Sequence, residues 1–125
     1  MRYLGVDFGL RRVGLAISEG ELASAWKILE VRNLTDAVEK ISVLISTEKF
    51  DKVVVGLPEG KIGKTVIGFI KALKKKGFDV ESADETLSSK NATSLMIEMN
   101  VSKKRRSLKD DYSAMLILQN FLDTR

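Results

Sequence analysis

The chain has 125 residues, of which 44% are hydrophobic and 30% charged. That is the size of one ordinary domain, with enough apolar side chains for a packed core. It contains no cysteine and no histidine, which excludes Ser-His-Asp triads, cysteine nucleophiles and Cys/His zinc sites and leaves carboxylates, Lys, Arg, hydroxyls or a bound cofactor to carry any catalysis. The net charge of +4 and a pI near 9.4 favour a polyanionic partner such as nucleic acid. Met1 is followed almost at once by Tyr3-Leu4-Gly5-Val6-Asp7, which reads as a strand and not as a cleavable apolar helix. No apolar run approaches the roughly 20 residues needed to span a bilayer. The expectation is a soluble cytoplasmic protein, one domain over residues 1–125, with no membrane partner.

Residues 2–8 alternate in the manner of a strand, with Leu4, Val6 and Phe8 on one face and Gly5 and Asp7 on the other. Gly9-Leu10-Arg11-Arg12 reads as a turn. Residues 12–18 form a second strand, with Val13, Leu15 and Ile17 on one face and Gly14 and Ala16 on the other. A third runs from Ala23 to Val31, completing an antiparallel meander. The period then changes. Leu34, Val38, Ile41 and Ile45 mark a helix, with Asn33 or Thr35 as its N-cap. Lys52-Val53-Val54-Val55-Gly56 is a buried strand. A helix follows over residues 63–76, carrying Val66, Ile70 and Leu73, with Lys74-Lys75-Lys76 in its last turn and Gly77 just beyond, as the helix dipole and capping preferences favour. Phe78 to Ala83 is a fifth strand. Ala92, Leu95, Met96 and Met99 define a third helix, residues 100–109 a basic loop, and Ala114, Ile117, Leu118 and Phe121 the last helix.

The order βββαβαβαα predicts an α/β fold: a five-stranded mixed sheet, antiparallel meander plus parallel strands, flanked by helices. In such sheets ligands gather at the carboxyl ends of the parallel strands. Asp7 ends the first strand, Gly56-Leu57-Pro58-Glu59-Gly60 follows the fourth, and Asp84-Glu85 follows the fifth. Asp110 and Asp111 begin the last helix. Asp110 stands four residues before Ala114 and so shares the sheet-facing side of that helix; Asp111 is one position round. Taken singly, each acid has an ordinary structural reading: a turn aspartate, helix-dipole charge, an N-cap. Together, in a chain without His or Cys, carboxylates at three segment ends suit a metal-assisted phosphodiester hydrolase, because Mg²⁺ and Mn²⁺ are hard cations that prefer oxygen ligands. Arg11 and Arg12 just after Asp7, and Lys103, Lys104, Arg105, Arg106 and Lys109 just before Asp110, are placed to hold phosphates of structured RNA or branched DNA.

Four segments resemble, in order and over nearly the whole chain, those of the YqgF/RuvX family. They are Val6-Asp7-Phe8-Gly9-Leu10-Arg11-Arg12-Val13-Gly14-Leu15-Ala16, Val55-Gly56-Leu57-Pro58, Asp84-Glu85-Thr86-Leu87-Ser88-Ser89, and Asp110-Asp111-Tyr112-Ser113-Ala114 with the helix that follows. The resemblance implies an RNase H-like fold related to Holliday junction resolvases and a bacterial-type cytoplasmic nuclease acting at the 5′ end of pre-16S rRNA. By matched position, Asp7, Glu85 and Asp110 become its catalytic, metal-holding carboxylates. Thr86 stands where the family has Arg, Ser88 and Ser89 replace two Thr, and Glu59 replaces an apolar residue.

Two other readings use the same residues. Gly63-Lys64-Thr65 before a helix suggests a phosphate loop, but the glycine it needs five positions earlier is Pro58, which has no N–H to offer. A non-catalytic nucleic-acid-binding domain of the same fold needs only the basic residues. A four-way junction has two symmetric strands to cut, which suits a dimer, but no segment announces an interface, and the expectation is a monomer or a homodimer.

Overall fold

The computed structural model describes residues 1–57, 62–84 and 109–124, with the backbone alone at residues 62, 84 and 109–111. A five-stranded sheet has the order β3-β2-β1-β4-β5. Strands β1 (Tyr3–Phe8), β2 (Arg12–Ser18) and β3 (Ala23–Glu30) form the antiparallel meander, while β4 (Lys52–Leu57) and β5 (Val80–Asp84) run parallel to β1. Helices α1 (Leu34–Thr47) and α2 (Ile62–Lys75) cover one face, and α3 (Lys109–Thr124) covers the other. The helix expected around residues 92–99 lies outside the described residues.

Alternation within the strands builds two cores. Leu4, Val6, Phe8, Val13, Leu15, Val53 and Val55 point toward α1 and α2, where they meet Ile41, Ile45, Val66, Phe69 and Leu73. Tyr3, Ala16 and Val54 point the other way and meet Ala114, Ile117, Leu118 and Leu122 of α3. Strand β1 is therefore buried on both faces along its whole length, as a strand between parallel and antiparallel neighbours and under two helical layers must be.

The helix ends follow from local chemistry. Asn33 is the N-cap of α1, and its side chain accepts the Asp36 N–H at 2.8 Å, satisfying one of the helix's orphan donors. At the end of α2, Gly77 takes φ 96°, a left-handed conformation open to glycine at little cost. Its N–H donates to Lys74 O and that of Phe78 to Leu73 O, the paired bonds of a Schellman motif. This shortens β5 relative to the sequence expectation. Phe78 is committed to closing the helix, so strand pairing begins at Val80.

Candidate nuclease site

Asp7 is the last but one residue of β1 and is 7% exposed. It lies on the face of Tyr3 and Gly5, turned toward α3, as the alternation predicts. Gly14 of β2 stands directly opposite it, so no neighbouring side chain crowds the carboxylate from that strand. Beyond β1, Gly9 packs so tightly in the β1–β2 turn that a Cβ there would run into the carbonyl oxygen of Arg12. The turn admits only glycine at this position. It presents Arg11 and Arg12, both exposed, and is tied to the end of β3 by the Val31 N–H, which donates to Arg11 O at 2.9 Å.

Helix α3 reaches the same place from the other end of the chain. The Tyr3 and Phe121 rings pack tilted at 58° with centroids 6.1 Å apart, and a Cβ on Gly5 would come within 2.8 Å of Leu118 Cβ. Phe121 thus lies over the start of β1 and Leu118 over its middle, so α3 runs antiparallel to β1. Its N-terminal turn, with Asp110 and Asp111, lies toward the end of β1 that carries Asp7. Gln119 pins α3 to the meander: its Oε1 accepts the Ala23 N–H at 2.9 Å and its Nε2 donates to Glu21 O at 3.0 Å.

Among the parallel strands, Leu57 pairs with Asp84 at the carboxyl edge. Ala83 packs with the α3 cluster and Val80 with the α1/α2 cluster. Asp84 belongs to β5 itself, which runs one residue past the end at Ala83 expected from sequence. Glu85, Lys103, Lys104, Arg105 and Arg106, and Thr86 with them, lie outside the described residues; Lys109 and Asp110 are placed by backbone in the first turn of α3. Among the described residues no group of three acidic side chains gathers into a metal site. The oxygen donor set expected of Mg²⁺ is represented there by Asp7, a carboxylate on a rigid strand end with a glycine across from it, which is the kind of ligand a hard cation takes.

Sequence reasoning passed over Arg32 and Lys40. Both reach Asp36, at 3.6 and 3.3 Å, and both line a cleft with Arg11 and Arg12. The spacing of Arg32, Asp36 and Lys40, four residues apart from the residue before the Asn33 cap into the second turn of α1, was the available signal. The Asp36 carboxylate, 6% exposed, is held below its ordinary value by the backbone N–H of Arg32 and then by Lys40 and Arg32, against the opposing effect of burial.

The comparisons with known proteins agree with this arrangement. A family described as "RuvX: Holliday junction resolvase" matches residues 1–124. A "Putative pre-16S rRNA nuclease" of Bacillus thuringiensis is 36% identical over the full length of both chains, and one of Natranaerobius thermophilus is 32% identical over 98% of this chain and 94% of its own. In three dimensions the fowlpox virus Holliday junction resolvase superposes with a TM-score of 0.69 over 99% of both chains at 13% identity. Thermus thermophilus RuvC, solved with a Holliday junction substrate, superposes with a TM-score of 0.59 at 16% identity over 94% of this chain and 92% of its own. No described helix is long and apolar enough to cross a membrane. With its strand order, its Asp7 motif and a match along almost its entire length, the chain belongs to the RuvX/YqgF family and has the RNase H-like resolvase fold.

Proposed function

We propose that the protein is a metal-dependent endonuclease that cleaves phosphodiester bonds in structured nucleic acid, with pre-16S rRNA as its substrate. The observation that carries this reading is the seating of α3 on Gly5, which sends the helix turn containing Asp110 toward the strand end containing Asp7. Asp7, Glu85 and Asp110 would together hold Mg²⁺ or Mn²⁺. When bound, the cation supplies Lewis acidity and lowers the pKa of attacking water.

The remaining work belongs to the chain itself. Asp7 is fixed in position by a strand buried on both faces, so its carboxylate needs little reorganisation when substrate arrives. Arg11 and Arg12, on the compact turn next to it, hold phosphates of the substrate backbone. Lys103 to Arg106 and Lys109 attract the polyanion and set the salt dependence of binding. The relatives described as pre-16S rRNA nucleases support RNA as substrate. The family's description as a junction resolvase favours four-way DNA junctions as a second reading.

The test is cleavage of a pre-16S 5′-end fragment and of a four-way DNA junction by the same preparation, in Mg²⁺, Mn²⁺ and EDTA, with its oligomeric state measured in parallel. Metal-dependent cleavage of the RNA that Asp7→Asn abolishes is the expected result. Cleavage of the junction alone, by a dimer, would transfer the assignment to DNA. Binding of either substrate without cleavage under any metal would leave a non-catalytic nucleic-acid-binding domain.

A further inference from the structure

On the α1 side of the sheet, at the same edge as Asp7, an open cleft of about 410 Å³ is lined by Arg11, Arg12, Glu30, Val31, Arg32 and Lys40. We infer that this cleft is a second phosphate-binding site, which grips the sugar–phosphate backbone of the nucleic acid beyond the scissile bond, on the opposite side of the sheet from α3. The inference rests on the nuclease reading only for its choice of ligand.

Four cationic side chains surround the cleft, so it stays net positive even when Asp36 is counted with Glu30. Arg11 and Arg12 hold no ion pair or side-chain hydrogen bond among the described residues. Arg32 and Lys40 are anchored and not consumed by Asp36: their side chains remain 85% and 44% exposed. Lys40 also donates to Glu30 O at 2.9 Å, which holds its ammonium at the mouth of the cleft. The site is built on stiff parts: the Gly9 turn, the end of β3 joined to Arg11 O, and the capped first turn of α1.

Its chemistry suits phosphate. Guanidinium groups pair with phosphate oxygens through two parallel N–H donors, and several together track a phosphodiester chain. The location selects nucleic acid over an acidic polypeptide. Arg11 follows Asp7 by four residues, so their Cα atoms lie within about 14 Å of each other, the most that chain length allows, and the cleft opens on the turn that leaves Asp7. A strand leaving Asp7 passes over the β1–β2 turn and into the cleft.

Binding is measured by fluorescence anisotropy in EDTA, using a labelled RNA hairpin with a single-stranded tail and a labelled four-way DNA junction, across a salt series. Arg32→Glu should weaken binding by roughly 3- to 10-fold at low salt and reduce the slope of log affinity against log salt by about 1. Lys40→Gln should do the same, and Lys75→Ala, at the opposite end of the sheet, should change neither quantity. Arg32→Glu decides the matter alone if Lys40→Gln unfolds, because it keeps the backbone N–H that bonds Asp36. Wild-type affinity and slope in Arg32→Glu would overturn the inference, as would a wild-type protein that binds neither nucleic acid. Because binding is read without metal, the two proposals fail separately. A cleft effect without cleavage in Mg²⁺ or Mn²⁺ would sink the nuclease reading alone, and cleavage without a cleft effect would sink the cleft alone.

Discussion

Gly5 and Ala114 meet almost backbone to backbone: a Cβ on Gly5 would stand 2.9 Å from the Ala114 carbonyl oxygen. Neither that oxygen nor the nearby Leu118 Cβ can rotate away, so a methyl group here must push α3 off the sheet. Gly5→Ala should destabilise the fold by about 1–3 kcal/mol, the usual range for overpacking, measured by urea unfolding. It should reduce cleavage beyond the loss of folded protein, because the shift carries the first turn of α3 away from Asp7. A variant as stable and as active as the parent would mean that α3 does not set the site.

The two acids that open α3 can be separated. Asp110 shares the helix face of Ala114, which is fully buried against the sheet; Asp111 is one position round. Asp110→Asn should lower kcat by about 10²-fold or more, the scale of removing one group that stabilises the reacting charge, while Asp111→Asn stays within a few-fold of wild type. The reverse order would assign the ligand to Asp111.

Replacing Lys103, Lys104, Arg105 and Arg106 together with Ala should weaken binding of RNA and junction alike. Each phosphate left without its cation takes about 0.9 from the salt slope for duplex substrates, so the size of the decrease reports how many phosphates this run neutralises. A slope equal to wild type would place the nucleic acid elsewhere.

Asn33→Ala should cost about 1 kcal/mol, the typical loss of an N-cap, read from thermal or urea unfolding. Its partner Asp36 adds a pH dependence. The Asp36 carboxyl is held below its ordinary 3.8 by the Arg32 backbone N–H and then by Lys40 and Arg32. The unfolded chain therefore binds this proton first, and the stabilisation is complete above 3.8 and lost as pH falls through the lower folded value. Lys52 works in the opposite sense: its bond to Glu81 and the charge of Asp79 raise it above 10.5, so its contribution is complete below 10.5 and lost at more alkaline pH. Asp36→Asn should flatten the acid limb of the stability profile and Glu81→Gln the alkaline limb. Limbs unchanged by these substitutions would assign the titrations to other groups.

Much of this architecture is legible in the sequence because its strands alternate cleanly. Leu4, Val6 and Phe8 declare one face of β1, which leaves Asp7 on the other, and the core clusters confirm it. Asn33 and Gly77 announce helix ends by their chemistry. The irregularities were not legible, because they depend on residues distant in sequence or on competition for one backbone group. The register shift between Leu15 and Ala16 in the β2–β3 ladder has no local mark. Phe78 suits a strand, yet its N–H is taken by Leu73 O. Arg32 and Lys40 read as ordinary charges at the start of α1 until the β1–β2 turn brings Arg11 and Arg12 to the same cleft. Glu85 and the basic run 103–106 lie outside the described residues, so the outer half of the proposed site rests on their place in the chain.

The two layers over the sheet also differ in when they can form. The α1/α2 core draws on residues up to Val80, whereas the face carrying Asp7 is closed by Ala114 to Leu122. During synthesis the amino-terminal sheet can condense on its first two helices while the aspartate face still lies open. A ribosome must translate α3 before that face is complete, and a product truncated ahead of it has no finished centre. A protein whose proposed substrate is a ribosomal precursor thus has its proposed cutting face left open until the ribosome has read through α3.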